Sequence, residues 1–205
     1  MLLAIDTSAG TSVAVVDRER GVLAEVGEAD TRRHAEVIGA LIAQALELSG
    51  IARAELSGVV SGMGPGPFTG LRVGIAAARA FGLGIRRPVV RVASHDAVAF
   101  GRTVPTLVVT DARRREVAWS TYAAPDELGL PVRLSGPLLA HPEELETVVE
   151  GYADFERVDA AQISAAALGM LAETLFAAGR PFAGPEPLYL RAPDVTPSAG
   201  PKRVS

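Results

Sequence analysis

Short apolar runs separated by turn residues open the chain and predict three β-strands. The runs cover residues 2–5, 11–16 and 22–28, and polar or glycine-containing turns join them. Strands joined by such short turns pair antiparallel, because a parallel pair needs a long crossover connection. The pattern therefore predicts an antiparallel meander at the start of the chain.

The hydrophobic period then changes and predicts helices alternating with further strands. Apolar side chains recur at steps of three and four over residues 32–48, and Ser49 with Gly50 ends this helix. A Gly/Pro-rich loop at 62–70 follows a strand whose apolar sequence indicates that it is buried, and a second helix comes after the loop. Thr69 is the expected N-cap of that helix. The predicted elements after the meander are helix 32–48, strand 58–63, helix 71–83, strand 88–93 and a helix from residue 94 or 95.

The second half of the chain repeats the opening unit. Residues 107–111 (LVVTD) match residues 2–6 (LLAID), each an apolar strand that ends on an Asp before a turn and a return strand. This repeat predicts an α/β protein of two related domains, 1–102 and a smaller 103–195, with residues 196–205 as a disordered tail. Further strands are predicted at 106–110, 116–123 and 132–139, and helices at 142–150 and 161–178.

Composition narrows the possible functions. The net charge of −4 argues against a chain that holds a nucleic acid by itself, because phosphate neutralisation supplies much of such affinity. The absence of Cys excludes disulfides and thiolate chemistry. The opening residues reach Asp6 too early for a signal peptide, and no apolar stretch approaches the roughly 18 residues of a membrane span. We therefore expect a cytoplasmic protein without membrane contact.

The turn after the first strand is a candidate nucleotide site. The Asp6 carboxylate could hold a hydrated magnesium ion beside phosphates, with hydroxyls from Thr7, Ser8 and Thr11. An Asp that hydrogen-bonds the amides of its own turn explains the same pattern.

In the Gly/Pro loop, backbone amides around Gly64 and Gly66 could bind an anion at a helix N-terminus, or the loop could be a rigid turn.

Small residues repeat every four positions along the second helix and predict a close helix contact. A neighbouring backbone can approach such a strip, and its partner could lie within the chain or in another subunit. The first helix carries more apolar residues than one buried stripe needs, which favours a dimer surface. The predicted interface residues are Ala35, Ile38, Leu41, Ile42 and Ala45 on the first helix, and Gly70, Leu71, Gly74, Ala78, Phe81 and Gly82 on the second.

The histidines predict neither a metal site nor a catalytic one. His34, His95 and His141 stand far apart, and no pair has the helical spacing of a zinc motif. A Gly-x-Ser-x-Gly nucleophile turn is also missing from the sequence, so hydrolase chemistry is set aside.

Several segments together resemble the TsaB (YeaZ) family. They are IDTS from Ile5, GPGPFTGLRVG from Gly64 to Gly74 and PLYLR from Pro187, and RHAE from Arg33 fits as well. The resemblance implies a fold shared with actin, sugar kinases and the 70-kDa heat-shock chaperones, with two mixed five-stranded sheets. This fold agrees with the repeated strand–Asp unit.

The resemblance also implies a role in making threonylcarbamoyladenosine in tRNA. TsaB-like chains are scaffolds that pair with the catalytic paralogue TsaD and with the ATPase TsaE. They pair through the two N-terminal helices, form homodimers by the same surface when alone, and meet tRNA only through the complex.

Three departures favour a non-catalytic chain. The catalytic relative binds metal through two His, whereas here His95 is followed by Ala99 at the second ligand position. Pro67 replaces a small residue of the Gly-rich loop and removes a backbone donor, and the region between Glu150 and Ala161 is short. The resemblance thus predicts no cofactor of its own, with ATP, ADP and Mg bound only weakly or at the partner interface. The alternative is a nucleotide-dependent transferase or kinase that uses Asp6 and Asp111.

Overall fold

The computed structural model describes residues 1–191, and a five-stranded mixed sheet organises the first half of the chain. The strands are β1 (Leu2–Asp6), β2 (Thr11–Asp17), β3 (Gly21–Glu28), β4 (Gly58–Gly62) and β5 (Val89–Val92), in the order β3-β2-β1-β4-β5. The first three form the predicted antiparallel meander, while β4 lies parallel to β1 and β5 parallel to β4.

Two long helices cover one face of this sheet. Helix α1 (His34–Ser49) and helix α2 (Phe68–Ile85) pack on the odd-numbered apolar residues of the central strands, such as Leu3, Ile5 and Val13. Because successive side chains of a strand point to opposite faces, the even-numbered residues lie on the other side.

The C-terminal helix covers the opposite face. Two short helices come first, α3 (Ser94–Ala99) and α4 (Leu145–Val148). Helix α5 (Ala165–Ala177) then packs its Leu168 and Leu171 side chains against the face of the first sheet that carries Ala4 and Val16. The core of the first sheet thus includes a helix from the half of the chain that the repeat assigns to the second domain. The boundary at residue 102 stays a prediction.

The second sheet has four strands. They are β6 (Thr106–Asp111), β7 (Val117–Ala123), β8 (Val132–Ala140) and β9 (Glu156–Asp159), in the order β8-β7-β6-β9. Strand β6 pairs antiparallel with β7 and parallel with β9, which repeats the pairing of β1 with β2 and β4. The two-domain actin-like α/β fold with a reduced second domain is therefore confirmed, but the second sheet has four described strands where the resemblance implied five, and β9 was not predicted.

Some helix boundaries differ from the prediction. Helix α2 begins at Phe68 after Pro67, and Thr69 lies inside it, so Thr69 is not the N-cap. Pro67 suits this position because the first residues of a helix need no intrahelical N–H partner. The expected helix over 142–150 is a 3-10 turn at Pro142–Glu144 followed by the four-residue α4.

Helix α2 also corrects the statement that no apolar stretch approaches the length of a membrane span. Its 18 residues have a mean hydropathy of 1.2, which meets that criterion by length and composition. One side of the helix nevertheless packs on β1 and β4, as a core helix does. The predicted disordered tail, residues 196–205, lies outside the described residues.

Candidate functional site

The Asp6 carboxylate is enclosed by the protein. Its side chain is 1% exposed, Ser8 N–H donates to Oδ1 at 2.7 Å, and Ser94 Oγ donates to Oδ2 at 2.5 Å. A Cβ at Gly62 would overlap Oδ2, so the strand beside Asp6 also closes over it. Burial raises the pKa of Asp6 above its usual value, and these hydrogen bonds offset part of the rise. The geometry matches the structural alternative, an Asp that fastens its own turn.

The neighbouring hydroxyls are also engaged within the chain. Thr7 Oγ1 donates to Gly70 O at 2.8 Å, Ser8 Oγ lies 2.7 Å from Ser94 Oγ, and Thr11 Oγ1 lies 2.7 Å from His34 Nδ1. These contacts join the turn after β1 to the start of α2, to α3 and to α1. Nucleotide binding by these residues stays a prediction.

The Gly/Pro loop packs directly on that turn. A Cβ at Gly66 would lie 2.8 Å from the Ser8 backbone, and Gly64 has a φ of +95° that favours glycine. Ser94 N–H donates to Gly64 O at 2.8 Å, and Gly64 N–H donates to Ser94 Oγ at 3.1 Å. The glycines thus allow the loop to pack closely on the turn after β1. This packing agrees with the interpretation of the loop as a rigid turn.

His95 joins the two halves of the molecule as a buried histidine. The side chain is fully buried, with Ser120 Oγ 2.8 Å from Nδ1 and Thr110 Oγ1 2.9 Å from Nε2. Burial, and then the charge of Arg133, lowers the pKa of His95 from 6.5 to about 3. Both ring nitrogens are therefore occupied by hydroxyls of the second sheet. Ala99, one turn further along α3, is also buried.

The strip of small residues on α2 faces the chain itself. A Cβ at Gly74 would overlap Thr7 Oγ1, one at Gly70 would lie 2.9 Å from Thr7 O, and one at Gly82 would lie 2.6 Å from Val89 Cγ2. Most other predicted interface residues are core residues too. Those buried within the chain are Ile38, Leu41, Ile42, Ala45, Leu71 and Ala78, whereas Ala35 is exposed and Phe81 is half-buried.

An apolar groove nevertheless lies between α1 and α2. Its volume is about 680 Å³, and we name it the α1–α2 groove. Small exposed residues form its floor and rim, and the sequence prediction missed them because they lie beside the small-residue strip and not on it. The lining residues are Ile38, Gly39, Ile42, Arg53, Ala54, Ala77, Ala80, Phe81, Gly84 and Ile85.

The segment that ends the described chain closes a cleft between the two sheets. Leu188 N–H donates to Met63 O at 2.8 Å, and the Tyr189 ring lies 4.6 Å from the Phe68 ring. The Arg191 guanidinium donates to the carbonyls of Ala112 and Arg113 at 3.1 and 3.2 Å. The cleft beneath has a volume of about 370 Å³. The PLYLR motif thus ties the Gly/Pro loop to the turn between β6 and β7.

Comparison with known proteins places these features in one family. The family model described as TsaD, tRNA N6-adenosine threonylcarbamoyltransferase, matches residues 10–129, which is more than half of the chain. The protein is 30% identical over 162 residues to the tRNA threonylcarbamoyladenosine biosynthesis protein TsaB of Escherichia coli, covering 77% of this chain and 65% of that one.

Other relatives extend this similarity. An uncharacterized protein of Mycobacterium tuberculosis is 47% identical over 124 residues, covering 59% of this chain and 58% of its own. An uncharacterized protein of Mycobacterium leprae is 41% identical over 150 residues, which are 71% of this chain and 40% of the relative. The chain thus spans about half the length of these curated relatives.

A solved structure agrees over almost the whole described chain. A Pseudomonas aeruginosa protein described as similar to the peptidase YeaZ superimposes with a TM-score of 0.75 at 25% identity, covering 93% of this chain and 99% of that one. A second structure, YeaZ from Pseudomonas aeruginosa, superimposes with a TM-score of 0.72 over 87% of this chain. The chain belongs to the TsaD family, in its TsaB (YeaZ) branch.

Proposed function

We propose that this protein is a non-catalytic scaffold subunit in the biosynthesis of threonylcarbamoyladenosine in tRNA. It binds and supports a TsaD-type threonylcarbamoyltransferase through the α1–α2 groove. A TsaE-type ATPase also binds to the complex, and the chain contacts tRNA only indirectly, through the complex. The chain forms a homodimer when the catalytic paralogue is absent. The setting is the cytoplasm, without membrane contact.

The observation that carries this proposal is the placement of His95. At the position where the catalytic relative begins its metal site, the imidazole lies in the core with both nitrogens against Ser120 and Thr110 hydroxyls. A metal ligand needs a lone pair directed at an accessible ion, and a buried imidazole held on both sides offers none. Ala99 carries no ligand atom one turn later.

The α1–α2 groove supports the scaffold part of the proposal. Ala80 and Gly84 on α2 and Gly39 on α1 are exposed and small, so a partner helix could approach both helices closely. Phe81 and Ile85 add half-buried apolar surface beside them. A groove of this kind suits pairing with a paralogue of the same fold or with a second copy.

The enclosed Asp6 favours the scaffold over the alternative transferase or kinase. Binding Mg²⁺ and phosphates there would require breaking the hydrogen bonds from Ser8 and Ser94. We therefore propose no cofactor of the chain's own, and ATP, ADP and Mg bound only weakly or at the partner interface. Asp111, the other candidate of that alternative, accepts from Arg113 N–H at 3.1 Å within its own turn.

Substituting Ala80 tests the pairing. Ala80 is exposed on α2 and lines the groove, so Ala80→Arg adds charge and bulk without disturbing the core. We expect the variant to lose co-elution with the TsaD-type paralogue on size-exclusion chromatography. The matched control is Ala177→Arg, which changes an exposed alanine of α5 on the opposite face of the same sheet.

The two variants must differ for the proposal to stand. Ala177→Arg is expected to co-elute like the parent protein, and both variants are expected to unfold at the parent's urea midpoint. Normal co-elution of Ala80→Arg would show that the catalytic paralogue binds elsewhere or not at all.

A further inference from the structure

One face of the second sheet has little helical cover. The first sheet carries helices of 16 and 18 residues on one face and one of 13 residues on the other. Among residues 1–191, the face of the second sheet that holds Trp119 and Thr121 is covered only by α4, which has four residues, and by short 3-10 turns. A sheet normally buries its apolar face against another element, so this face has room for one more.

A groove marks the uncovered part. It has a volume of about 580 Å³ and lies between β7, β8 and the end of α4. We call it the Trp119 groove, and its principal lining residues are Trp119, Thr121, Leu134, Leu138, Val148 and Phe155.

The walls of the Trp119 groove are apolar and exposed. Leu134 is 59% exposed, Leu138 49% and Val148 46%. Single exposed apolar residues are common on protein surfaces, but three of them around one concave site mark an interaction surface.

The floor of the groove holds a buried donor without an acceptor. Trp119 is 4% exposed, and its indole Nε1 has no hydrogen-bond partner among the described residues. A buried N–H group loses its hydration, and that loss is uncompensated until an acceptor is supplied. The indole nitrogen is itself inaccessible, so an occupant of the groove would contact the exposed apolar rim and not this donor.

The charge around the groove defines its occupant further. From Leu134 to Glu156 the sequence contains no Lys or Arg, and the flanking Arg133 and Arg157 are paired with Asp96 and Asp159. The acidic residues Glu143, Glu144, Glu146, Glu150 and Asp154 of this stretch are all exposed, and Glu150 lines the groove. Such a field repels an anionic ligand and favours a cationic one.

We propose that the Trp119 groove docks an amphipathic helix of a partner protein, with its apolar side on Leu134, Leu138 and Val148 and its Lys or Arg side chains beside the acidic stretch. A helix is the element that covers both faces of the first sheet, and helix-in-groove docking uses an apolar stripe with a charged flank. The groove lies on the second sheet, away from the α1–α2 groove, so this inference does not rest on the proposed function.

The protein contains a built-in probe for this docking. Trp119 is the one tryptophan of the sequence, so fluorescence excited selectively at tryptophan reports on the groove. The test titrates the full chain with a helical peptide of about 18 residues, built from Leu on one face and Lys on the other. The matched peptide carries Glu in place of Lys. We expect a saturable change in Trp119 emission with the Leu/Lys peptide and none with the Leu/Glu peptide.

Paired substitutions assign the binding to the groove. Leu138→Asp and Glu150→Lys are each expected to weaken binding about tenfold or more, the loss typical of a residue central to an interface. Leu128→Asp and Glu127→Lys make the same changes at exposed positions outside the groove and are expected to bind as the parent does. Far-ultraviolet circular dichroism and urea unfolding check that all four variants are folded.

Two results would overturn the proposal. One is equal affinity of the Leu/Lys peptide for the groove variants and for their controls. The other is self-association in analytical ultracentrifugation that Leu138→Asp abolishes and Ala80→Arg does not, because the groove would then be filled by a second copy. Ala80→Arg is expected to bind the peptide normally, which separates this test from that of the proposed function.

Discussion

At the scale of single residues, the burial of His95 makes the stability of the fold depend on pH. The ring lies in the core, and its pKa is lowered from 6.5 to about 3, first by burial and then by the charge of Arg133. The unfolded chain therefore binds one more proton than the folded chain between these two values. Stability contributed by the neutral ring is fully present above about pH 6.5 and is lost as the pH falls toward 3.

Replacing His95 by Gln should flatten this pH dependence. His95→Gln keeps groups that can hydrogen-bond Ser120 and Thr110 but does not titrate. We expect the free energy of unfolding to fall less steeply below pH 6.5 in the variant than in the parent, by up to about 1.4 kcal/mol per pH unit. Urea unfolding at a series of pH values measures the difference. Asp6, whose raised pKa acts in the opposite direction, is present in both proteins and cancels. Equal slopes would show that His95 titrates alike in the folded and unfolded states.

The small-residue strip shows what a residue pattern can and cannot predict. Spacing alone predicted that Gly70, Gly74 and Gly82 permit a close approach, and the structure contains that approach. The partner of Gly74 is Thr7, which lies far away in the sequence. Helical periodicity defines a face but not its neighbour, so the intramolecular and intersubunit alternatives could be separated only by the fold.

At the scale of elements, α5 joins the two halves of the chain. It covers the second face of the first sheet, where Gly169 approaches Val16 so closely that a Cβ would lie 2.7 Å from its Cγ2. Without α5, Ala4, Ala14 and Val60 would be exposed to water, and burying such surface stabilises a fold by about 25 cal/mol per Å².

A fragment of residues 1–102 should therefore fail to form a stable domain. We expect it to bind a hydrophobic dye, to exchange the amides of β1 and β4 rapidly and to unfold without a cooperative transition, while the full chain does none of these. Hydrogen exchange and urea unfolding make the comparison. Cooperative unfolding with protected β1 amides would support the predicted boundary at residue 102 as an independent folding unit.

Elements with a strong apolar pattern were predictable, and short charged ones were not. Strands β1, β2 and β6 match their predicted ranges to within one residue, because continuous apolar runs define them. Strand β9 consists of Glu156–Asp159 and has one apolar residue, so its sequence does not predict a strand. Backbone pairing with β6 is what holds this segment in the sheet. The helix expected after Pro142 ends at Val148, because Val149 takes an extended conformation and Gly151 a left-handed one with a φ of +68°.

At the scale of the whole molecule, two sheets of the same construction carry two different surfaces. The first sheet presents the α1–α2 groove, which we assign to the catalytic paralogue. The second presents the acidic and apolar Trp119 groove. Contacts within the chain run along the cleft between the sheets, from Asp6 at one end to Arg191 at the other. We propose that both grooves bind proteins on the outer faces of the two sheets.

Reconstituted tRNA modification tests the central claim most directly. The measurement is formation of threonylcarbamoyladenosine in tRNA, from threonylcarbamoyl adenylate, by the TsaD-type paralogue and the TsaE-type ATPase, with this chain present, absent or replaced by Ala80→Arg. We expect product only when the parent chain and the paralogue are both present, and at least about a tenfold loss with Ala80→Arg, because an interface residue of this kind contributes more than about 1.4 kcal/mol. Product formed by this chain without the paralogue, or undiminished product with Ala80→Arg, would contradict the account.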